Sequence, residues 1–247
     1  MRYRSGMIAS FAHKFIFIKL RKTAGTSIEL ALSSLCGVRD IITPLGLDDE
    51  VIRKTHGWRG PQNFSDEPGM NERCKGLIDR GDEAAYREMR KGLRRSKAYN
   101  NHMPADRARR MLGEEFWQSA YKWTVERHPY EKAVSRAYFV LWLRGLPVTS
   151  LQDVLEDLVA DGRVDERHLY TIDGKLAVDR VIRHEDLPGA FNLVLAKSGL
   201  RFDGELPRAK ISQRADRRPA REILSKQQRT RIYASCRATF ELLGYEA

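Results

Sequence analysis

The sequence predicts an α/β fold with three layers, in which a central parallel sheet carries helices on both faces. Short apolar runs alternate along the chain with longer segments of helical periodicity, a pattern typical of strand–helix–strand units. A chain of 247 residues can form one such domain with a sizeable core, although two small domains would also fit this length. Because no internal repeat or low-complexity tract divides residues 1–247, we expect a single domain.

The first strand–loop–helix unit spans residues 14–35. Its apolar run Phe15–Ile18 is typical of a buried parallel strand. The loop carries two cations and a glycine before two hydroxyls, in the order Arg21, Lys22, Gly25, Thr26 and Ser27. The helix that follows has one apolar face, made by Ile28, Ala31, Leu32 and Leu35. Backbone N–H groups and the positive end of the helix dipole meet the lysine there, which predicts a site for a phosphate-like group.

This loop lacks the spacing of the ATP-binding Walker A motif, G-x-x-x-x-G-K-[ST]. Lys22 precedes Gly25, and no glycine stands five residues before the lysine. ATP hydrolysis is therefore disfavoured, whereas anion binding is retained. An ordinary βα turn with a surface lysine is the alternative interpretation.

A second unit begins with a predicted strand at residues 121–125 and continues into a helix that Pro129 can start. Arg127 stands at the end of the strand, and Ser135 lies about two turns into the helix. Arginine offers a planar fork suited to phosphate, and serine adds an uncharged donor. These two side chains indicate a second anion site. In the alternative interpretation, Arg127 is a solvated charge and Ser135 is a small residue that packs in the helix.

The remaining segments complete the alternation of strands and helices. Helices are predicted at residues 82–95, 105–111, 150–159, 187–198 and 225–243, and a strand at residues 178–182. Residues 43–80 are rich in Gly, Pro, Asn and Asp and have little periodicity, which predicts a long excursion of the kind that is either functional or disordered.

Together, the motifs at residues 21–27 and 127–135 resemble those of sulfotransferases that use 3′-phosphoadenosine-5′-phosphosulfate (PAPS). That family carries P-K-[TS]-[AG]-[GT]-[TS] near the N-terminus and R-x-P-x-x-[RK]-x-x-S later, where this chain reads RKTAGTS and RHPYEKAVS. The match is closest to the branch of carbohydrate sulfotransferases and their bacterial relatives. Arg21 and His128 depart from the pattern, since the family usually has proline and asparagine there.

The resemblance implies a P-loop NTPase-like sulfotransferase fold and assigns roles to both motifs. The 5′-phosphosulfate of PAPS would be held by Arg21, Lys22, Thr23, Ala24, Gly25, Thr26 and Ser27. Lys22 would stabilise the bridging oxygen, while Arg127 and Ser135 would hold the 3′-phosphate. No metal is expected, because cationic side chains would neutralise the charge that develops in the transition state.

Proton transfer from an acceptor hydroxyl requires a general base with a pKa near neutrality, which indicates histidine. We expect His102 to be this base, because it follows a short segment that we interpret as a strand, and α/β sheets build their sites at carboxyl ends. His56 is the second candidate, within the excursion at residues 43–80, which we assign to the acceptor. A histidine with only a structural role is the alternative for either position.

A third basic segment covers residues 207–221. By the same resemblance, Lys210 and Arg214 would close over the 3′-phosphate of the donor. The segment would otherwise face an acidic acceptor or form a solvated linker.

Composition favours an anionic ligand, because the net charge is +11. No nucleic-acid-binding module is recognisable, so we expect no nucleic-acid partner. The sequence shows no apolar run long enough to span a membrane and no signal peptide, and its three cysteines form no disulfide framework. These observations predict a cytoplasmic, bacterial-type enzyme.

We therefore expect a sulfotransferase that moves the sulfuryl group from PAPS to an acceptor hydroxyl by in-line displacement, with PAP as the product. A carbohydrate is the expected acceptor, with phenols, lipids and small glycosides left open. The alternatives are a P-loop-type nucleotide kinase or NTPase and a non-enzymatic polyanion-binding protein.

Overall fold

The computed structural model describes residues 7–93, 98–99, 102–207, 209, 214 and 216–247. Seven strands are present in these residues: β1 (Met7–Ser10), β2 (Phe15–Ile18), β3 (Ile41–Ile42), β4 (Tyr121–Glu126), β5 (Thr171–Ile172), β6 (Lys175–Leu176) and β7 (Arg180–Arg183). Five of them form the central sheet, in the order β3-β1-β2-β4-β7, and β5 pairs with β6 separately.

The central sheet is mixed, so the prediction of a wholly parallel sheet is wrong at one side. β2, β4 and β7 run parallel, whereas β1 is antiparallel to both β2 and β3. The reason is the turn at residues 11–14, which is far shorter than the crossover that a parallel pair requires. The structure confirms the α/β class and the parallel centre of the sheet.

Eleven α-helices lie within the described part of the chain. They are α1 (Gly25–Ser33), α2 (Leu47–Thr55), α3 (Met70–Arg80), α4 (Glu83–Gly92), α5 (Ala105–Leu112), α6 (Glu114–Ser119), α7 (Pro129–Arg144), α8 (Leu151–Ala160), α9 (Leu187–Ala196), α10 (Ala220–Ile223) and α11 (Lys226–Leu243).

The region 43–80 is not the aperiodic excursion that the sequence predicts, because it contains α2 and α3. Charge rather than apolar periodicity marks α2: Asp48, Asp49 and Glu50 occupy its first turn, and Arg53 and Lys54 its last. This arrangement complements the helix dipole. A helix of this kind is not detected from apolar periodicity.

Helices cover both faces of the sheet. Ile16 and Ile18 of β2 belong to a core shared with α3, α4, α5 and α6. Phe15 and Phe17 point the other way and pack with α1 and α9. A third core joins α7 and α8 with α10 and α11. Burial on both faces explains why the sequence of β2 is a continuous apolar run.

Three parallel strands end at the same edge of the sheet, which we call the carboxyl edge. Ile18 is level with Thr124, and Glu126 is level with Arg183. The segments that follow β2, β4 and β7 are therefore neighbours, although they lie far apart in the sequence.

Candidate anion-binding site at the carboxyl edge

The loop after β2 enters α1 through two left-handed residues, Lys22 with φ of 62° and Ala24 with φ of 60°. Alternation of this kind directs successive backbone N–H groups toward one side and forms an anion-binding concavity. Ala24 is the N-cap of α1, and alanine has no side-chain acceptor for the N–H groups of the first turn. These donors are therefore suited to an external anion.

Lys22 contacts the helix that carries the second motif. Its ammonium lies over the ring of Phe139, 4.8 Å from the ring centroid. Phe139 belongs to α7, so this cation–π contact joins the loop to the helix that carries Ser135. The two motifs that the sequence presents separately are neighbours in the fold.

Lys19, directly after β2, is a buried lysine that the sequence analysis did not single out. Its Nζ donates to Thr26 Oγ1 at 3.2 Å and forms an ion pair with Glu29. The Lys19 side chain crosses the start of α1 so closely that a Cβ at Gly25 would overlap it. Glycine is therefore needed here to admit a neighbouring side chain. A lysine at the end of an apolar strand is the signal that could have identified it, since lysine is rarely buried unless it is paired.

The side chain of Arg21 is engaged inside the protein, whereas the sequence placed it on the donor. Its backbone N–H donates to Glu166 Oε2 at 2.8 Å, and its guanidinium pairs with the same carboxylate. Burial alone would raise the pKa of Glu166, but the cations of Lys132 and Arg21 hold it well below its ordinary value. Glu166 thus remains ionised, and no motif in the sequence indicated it.

The hydroxyls of the loop also have protein partners. Thr23 Oγ1 donates to the carbonyl of the third preceding residue at 3.3 Å, and Thr26 accepts from Lys19. Ser27 Oγ accepts from the backbone N–H of Ala209 at 3.3 Å. This last bond brings the predicted basic segment to the start of α1.

Arg214, in the basic segment, reaches the second motif. Its Nη1 donates to Glu131 Oε2 at 2.6 Å, and Arg127 Nη2 lies 3.4 Å from the same oxygen. Glu131 therefore holds two guanidinium groups together on α7. Lys210, the other candidate from this segment, lies outside the described residues.

Arg127, directly after β4, has an unused donor. Its Nε is buried and has no hydrogen-bond acceptor within the described residues. Burial lowers the pKa of Arg127 from its ordinary value, and the charge of Glu131 opposes that effect. A buried guanidinium N–H without an acceptor is uncommon in folded proteins and is a suitable partner for an anion.

Ser135 lies on the face of α7 between the two cations. Glu131, Ser135 and Phe139 follow one another at four-residue spacing, and all three are half-buried. On this face, Glu131 forms an ion pair with Arg127. On the same face, the ring of Phe139 contacts the ammonium of Lys22. The helix therefore places the candidate residues of both motifs along one surface.

His102 lies at the carboxyl edge, but for a different reason from the one predicted. Residues 98–99 are not a strand, and residues 100–101 lie outside the described part. The ring is positioned by Nδ1, which is 3.1 Å from the carbonyl oxygen of Lys19. The side chain is 7% exposed, and its backbone is left-handed with φ of 53°.

The bond to Lys19 also defines the chemistry of His102. A neutral imidazole that donates from Nδ1 to a carbonyl keeps Nε2 as its basic nitrogen. Burial lowers the pKa of His102 well below its ordinary value, and the charge of Arg21 lowers it further. The ring is therefore neutral at pH 7, the form that a general base requires, but its pKa lies below the near-neutral value that the sequence analysis expected of the base.

The opposite end of the sheet, which we call the amino edge, comprises residues 11–14, 36–40 and 59–63. Asp40 Oδ1 accepts from the N–H of Phe11 in the β1–β2 turn at 2.7 Å. Gln62 Nε2 donates to the carbonyl of Asp40 at 2.9 Å. These bonds hold the three segments together beyond the start of β2.

His56, the second candidate base, lies toward this amino edge. It caps the C-terminus of α2, and its ring stacks on Trp58 with 4.3 Å between centroids. The nearby Arg59 donates to the carbonyl of Cys36, past the end of α1. A nine-residue helix is about 13 Å long, so α1 separates this region from Lys22. Residues 56–63 therefore lie near the end of α1 that is far from Lys22, and the assignment of residues 43–80 to the acceptor stays a prediction.

Comparison with protein-family models, curated proteins and solved structures finds no match to this chain. No helix in the described ranges is long and apolar enough to cross a membrane. Within the same ranges, no group of three or more His, Cys, Asp or Glu side chains is placed to hold a metal ion.

Proposed function

We propose that the carboxyl edge binds PAPS and that the protein transfers its sulfuryl group to an acceptor hydroxyl. One observation carries this proposal. The cationic loop after β2 and Arg127 after β4 follow adjacent parallel strands and are joined along one face of α7. Neighbouring strands are about 4.8 Å apart, which suits a ligand whose ribose carries anionic groups on both sides.

The loop after β2 would receive the 5′-phosphosulfate. Lys22 and the first-turn N–H groups of α1 would stabilise the negative charge that develops on the bridging oxygen in the transition state. The bond between sulfur and this oxygen breaks while the acceptor oxygen bonds to sulfur, and PAP leaves with the electron pair. Lys19 supports the loop through Thr26 and does not need to touch the donor.

Arg127 and Ser135 would receive the 3′-phosphate. Arg127 offers its unsatisfied Nε, and Ser135 offers a hydroxyl on the same face of α7. Arg214 is held close by through Glu131, so a bound phosphate would meet two guanidinium groups. Hydrogen bonds between charged groups are about twice as strong as neutral ones, which supports binding at this position.

His102 would accept the proton of the acceptor hydroxyl on Nε2. The Lys19 carbonyl fixes the tautomer, and burial keeps the ring unprotonated. Lys19 therefore contributes to donor binding and to proton transfer, since its side chain supports the donor loop and its carbonyl orients His102.

Binding and transfer by the Lys22→Ala variant test this proposal. Titration calorimetry with PAP should show one saturable site in the wild type that added DNA does not displace. Transfer from sulfur-labelled PAPS would be followed across saccharide, phenol and lipid acceptors. Lys22→Ala should lower turnover by roughly 10²- to 10³-fold, as the loss of an oxyanion donor does.

The matched control is Lys54→Ala, which removes an exposed lysine paired with Asp79 on the surface. It should leave both binding and turnover unchanged. Equal transfer by the wild type and Lys22→Ala would refute the assignment. Magnesium-dependent ATP turnover would favour the kinase or NTPase instead, and displacement of PAP by DNA would favour the polyanion binder.

A further inference from the structure

A buried ionic cluster centred on Glu166 connects the two halves of the proposed donor site. Glu166 follows α8 in the chain and is only 1% exposed. Its Oε2 accepts the backbone N–H of Arg21 at 2.8 Å, and its carboxylate also pairs with the Arg21 guanidinium. One carboxylate thus fixes both the main chain and the side chain of the residue before Lys22.

The same carboxylate also contacts α7. Lys132 Nζ lies 3.2 Å from Glu166 Oε2, and Arg136 Nη1 lies 3.8 Å from Glu166 Oε1. Lys132 and Arg136 are one turn apart, on the helix that carries Ser135. Glu166 therefore sets the spacing between the loop after β2 and the helix of the second motif.

The balance of charge indicates which part would move without this carboxylate. Lys132 would keep Glu126 as a partner, because its Nζ lies 2.8 Å from Glu126 Oε1. The hydrogen bonds of Arg21 within the described residues go to Glu166. An unpaired charge is costly to bury, so without Glu166 the Arg21 side chain and its loop would move from their present position.

We infer that Glu166 is a positioning residue, which holds Arg21 and thereby places Lys22 at the phosphosulfate. This inference rests on the proposed function for the role of Lys22. Glu166 itself touches no reacting atom, because it is buried behind the loop. A misplacement of a reacting group by about 1 Å can cost on the order of a hundredfold in rate.

The test compares Glu166→Gln with Glu50→Gln, a matched control. Glu50 is also buried, accepts the backbone N–H of Leu45 at 2.6 Å and pairs with the guanidinium of Arg53. Glu50 belongs to α2, and its hydrogen bonds and ion pair join it to Leu45 and Arg53 rather than to the loop. Both substitutions exchange a buried carboxylate for an amide of the same shape, and both should lower the melting temperature.

Only Glu166→Gln should weaken PAP binding and lower turnover, each by roughly 10- to 100-fold. Only Glu166→Gln should speed amide hydrogen exchange at residues 19–27. Glu166→Asp, which keeps the charge, should recover part of both losses. If Glu166→Gln does not fold, Arg21→Gln removes the loop contact and leaves the carboxylate with Lys132 and Arg136; it should speed the same exchange.

The outcomes separate this inference from the proposed function. If the wild type does not bind PAP, the proposed function fails, and exchange at residues 19–27 still decides whether Glu166 positions the loop. If PAP binds equally to the wild type and Glu166→Gln, or if exchange at the loop is unchanged, the inference is overturned.

Discussion

The two edges of the central sheet differ in whether buried donors are left without an acceptor. At the amino edge, Asp40 accepts from Ser10 Oγ at 2.8 Å, from Phe11 N at 2.7 Å and from Gly37 N at 2.7 Å. At the carboxyl edge, Arg21 Nε and Arg127 Nε are buried donors that find no acceptor within the described residues.

This difference separates stability from binding. A carboxylate that satisfies several N–H groups stabilises a turn and leaves nothing for a ligand. Buried donors without partners cost free energy in the free protein and recover it when an anion binds. Loss of Asp40 at the amino edge should therefore lower stability and leave transfer unchanged, whereas loss of an unpartnered donor at the carboxyl edge should weaken ligand binding.

Loss of the base should have the largest effect on transfer. His102→Gln should lower turnover by roughly 10²- to 10⁴-fold, the usual contribution of a general base, while PAP affinity stays close to the wild-type value. His56→Gln is the control, since His56 lies toward the amino edge, and it should leave turnover unchanged. Equal losses in both variants would remove the assignment of His102.

The pH dependence provides a second measurement on the same residue. Burial lowers the pKa of His102 below the ordinary histidine value of 6.5, so the ring stays neutral as the pH falls through 6.5. Turnover should therefore persist below that pH and decline only as the lowered pKa is approached. A decline centred at or above pH 6.5 would show that another group is the base.

Arg127→Ala should have the next largest effect, and it should act on affinity. Loss of a charge-assisted contact of about 1.5–3 kcal/mol predicts that PAP binds roughly 10- to 100-fold more weakly. Adenosine 5′-phosphosulfate lacks the 3′-phosphate, so its affinity should change little. Calorimetry with both ligands distinguishes the outcomes, because equal weakening of both would mean that Arg127 does not recognise the 3′-phosphate.

The sequence predicted the parts of the site that are local. RKTAGTS and RHPYEKAVS are each continuous, and a parallel register of β2 and β4 brings them together without further information. Glu166 was missed because it contacts Arg21 across 145 residues, and a lone glutamate after a helix has no periodic signature. The position of His102 was predicted from a strand that the described residues 98–99 do not form, and its actual determinant is one bond to a main-chain carbonyl.

The fold shows the same limit. β2 follows from a continuous apolar run and α7 from apolar residues at helical spacing. The direction of β1 depends on a turn of four residues between two strands, the first of which the sequence analysis did not recognise. The ends of α2 are set by charge and by Gly46 rather than by an apolar face. Local patterns therefore predicted the parallel centre of the sheet, and contacts between distant residues determined its margin.

Asp40→Ala should have the smallest effect on transfer and a large effect on stability. It leaves the hydroxyl of Ser10 and the N–H groups of Phe11 and Gly37 without this acceptor, at a cost of about 2–4 kcal/mol in the free energy of unfolding. Urea denaturation would measure that loss. PAP affinity and turnover of the folded fraction should equal those of the wild type, because the carboxyl edge keeps all its contacts. If Asp40→Ala instead weakens PAP as much as Arg127→Ala does, then the two edges are coupled through the short strands, and the separation of stability from binding fails.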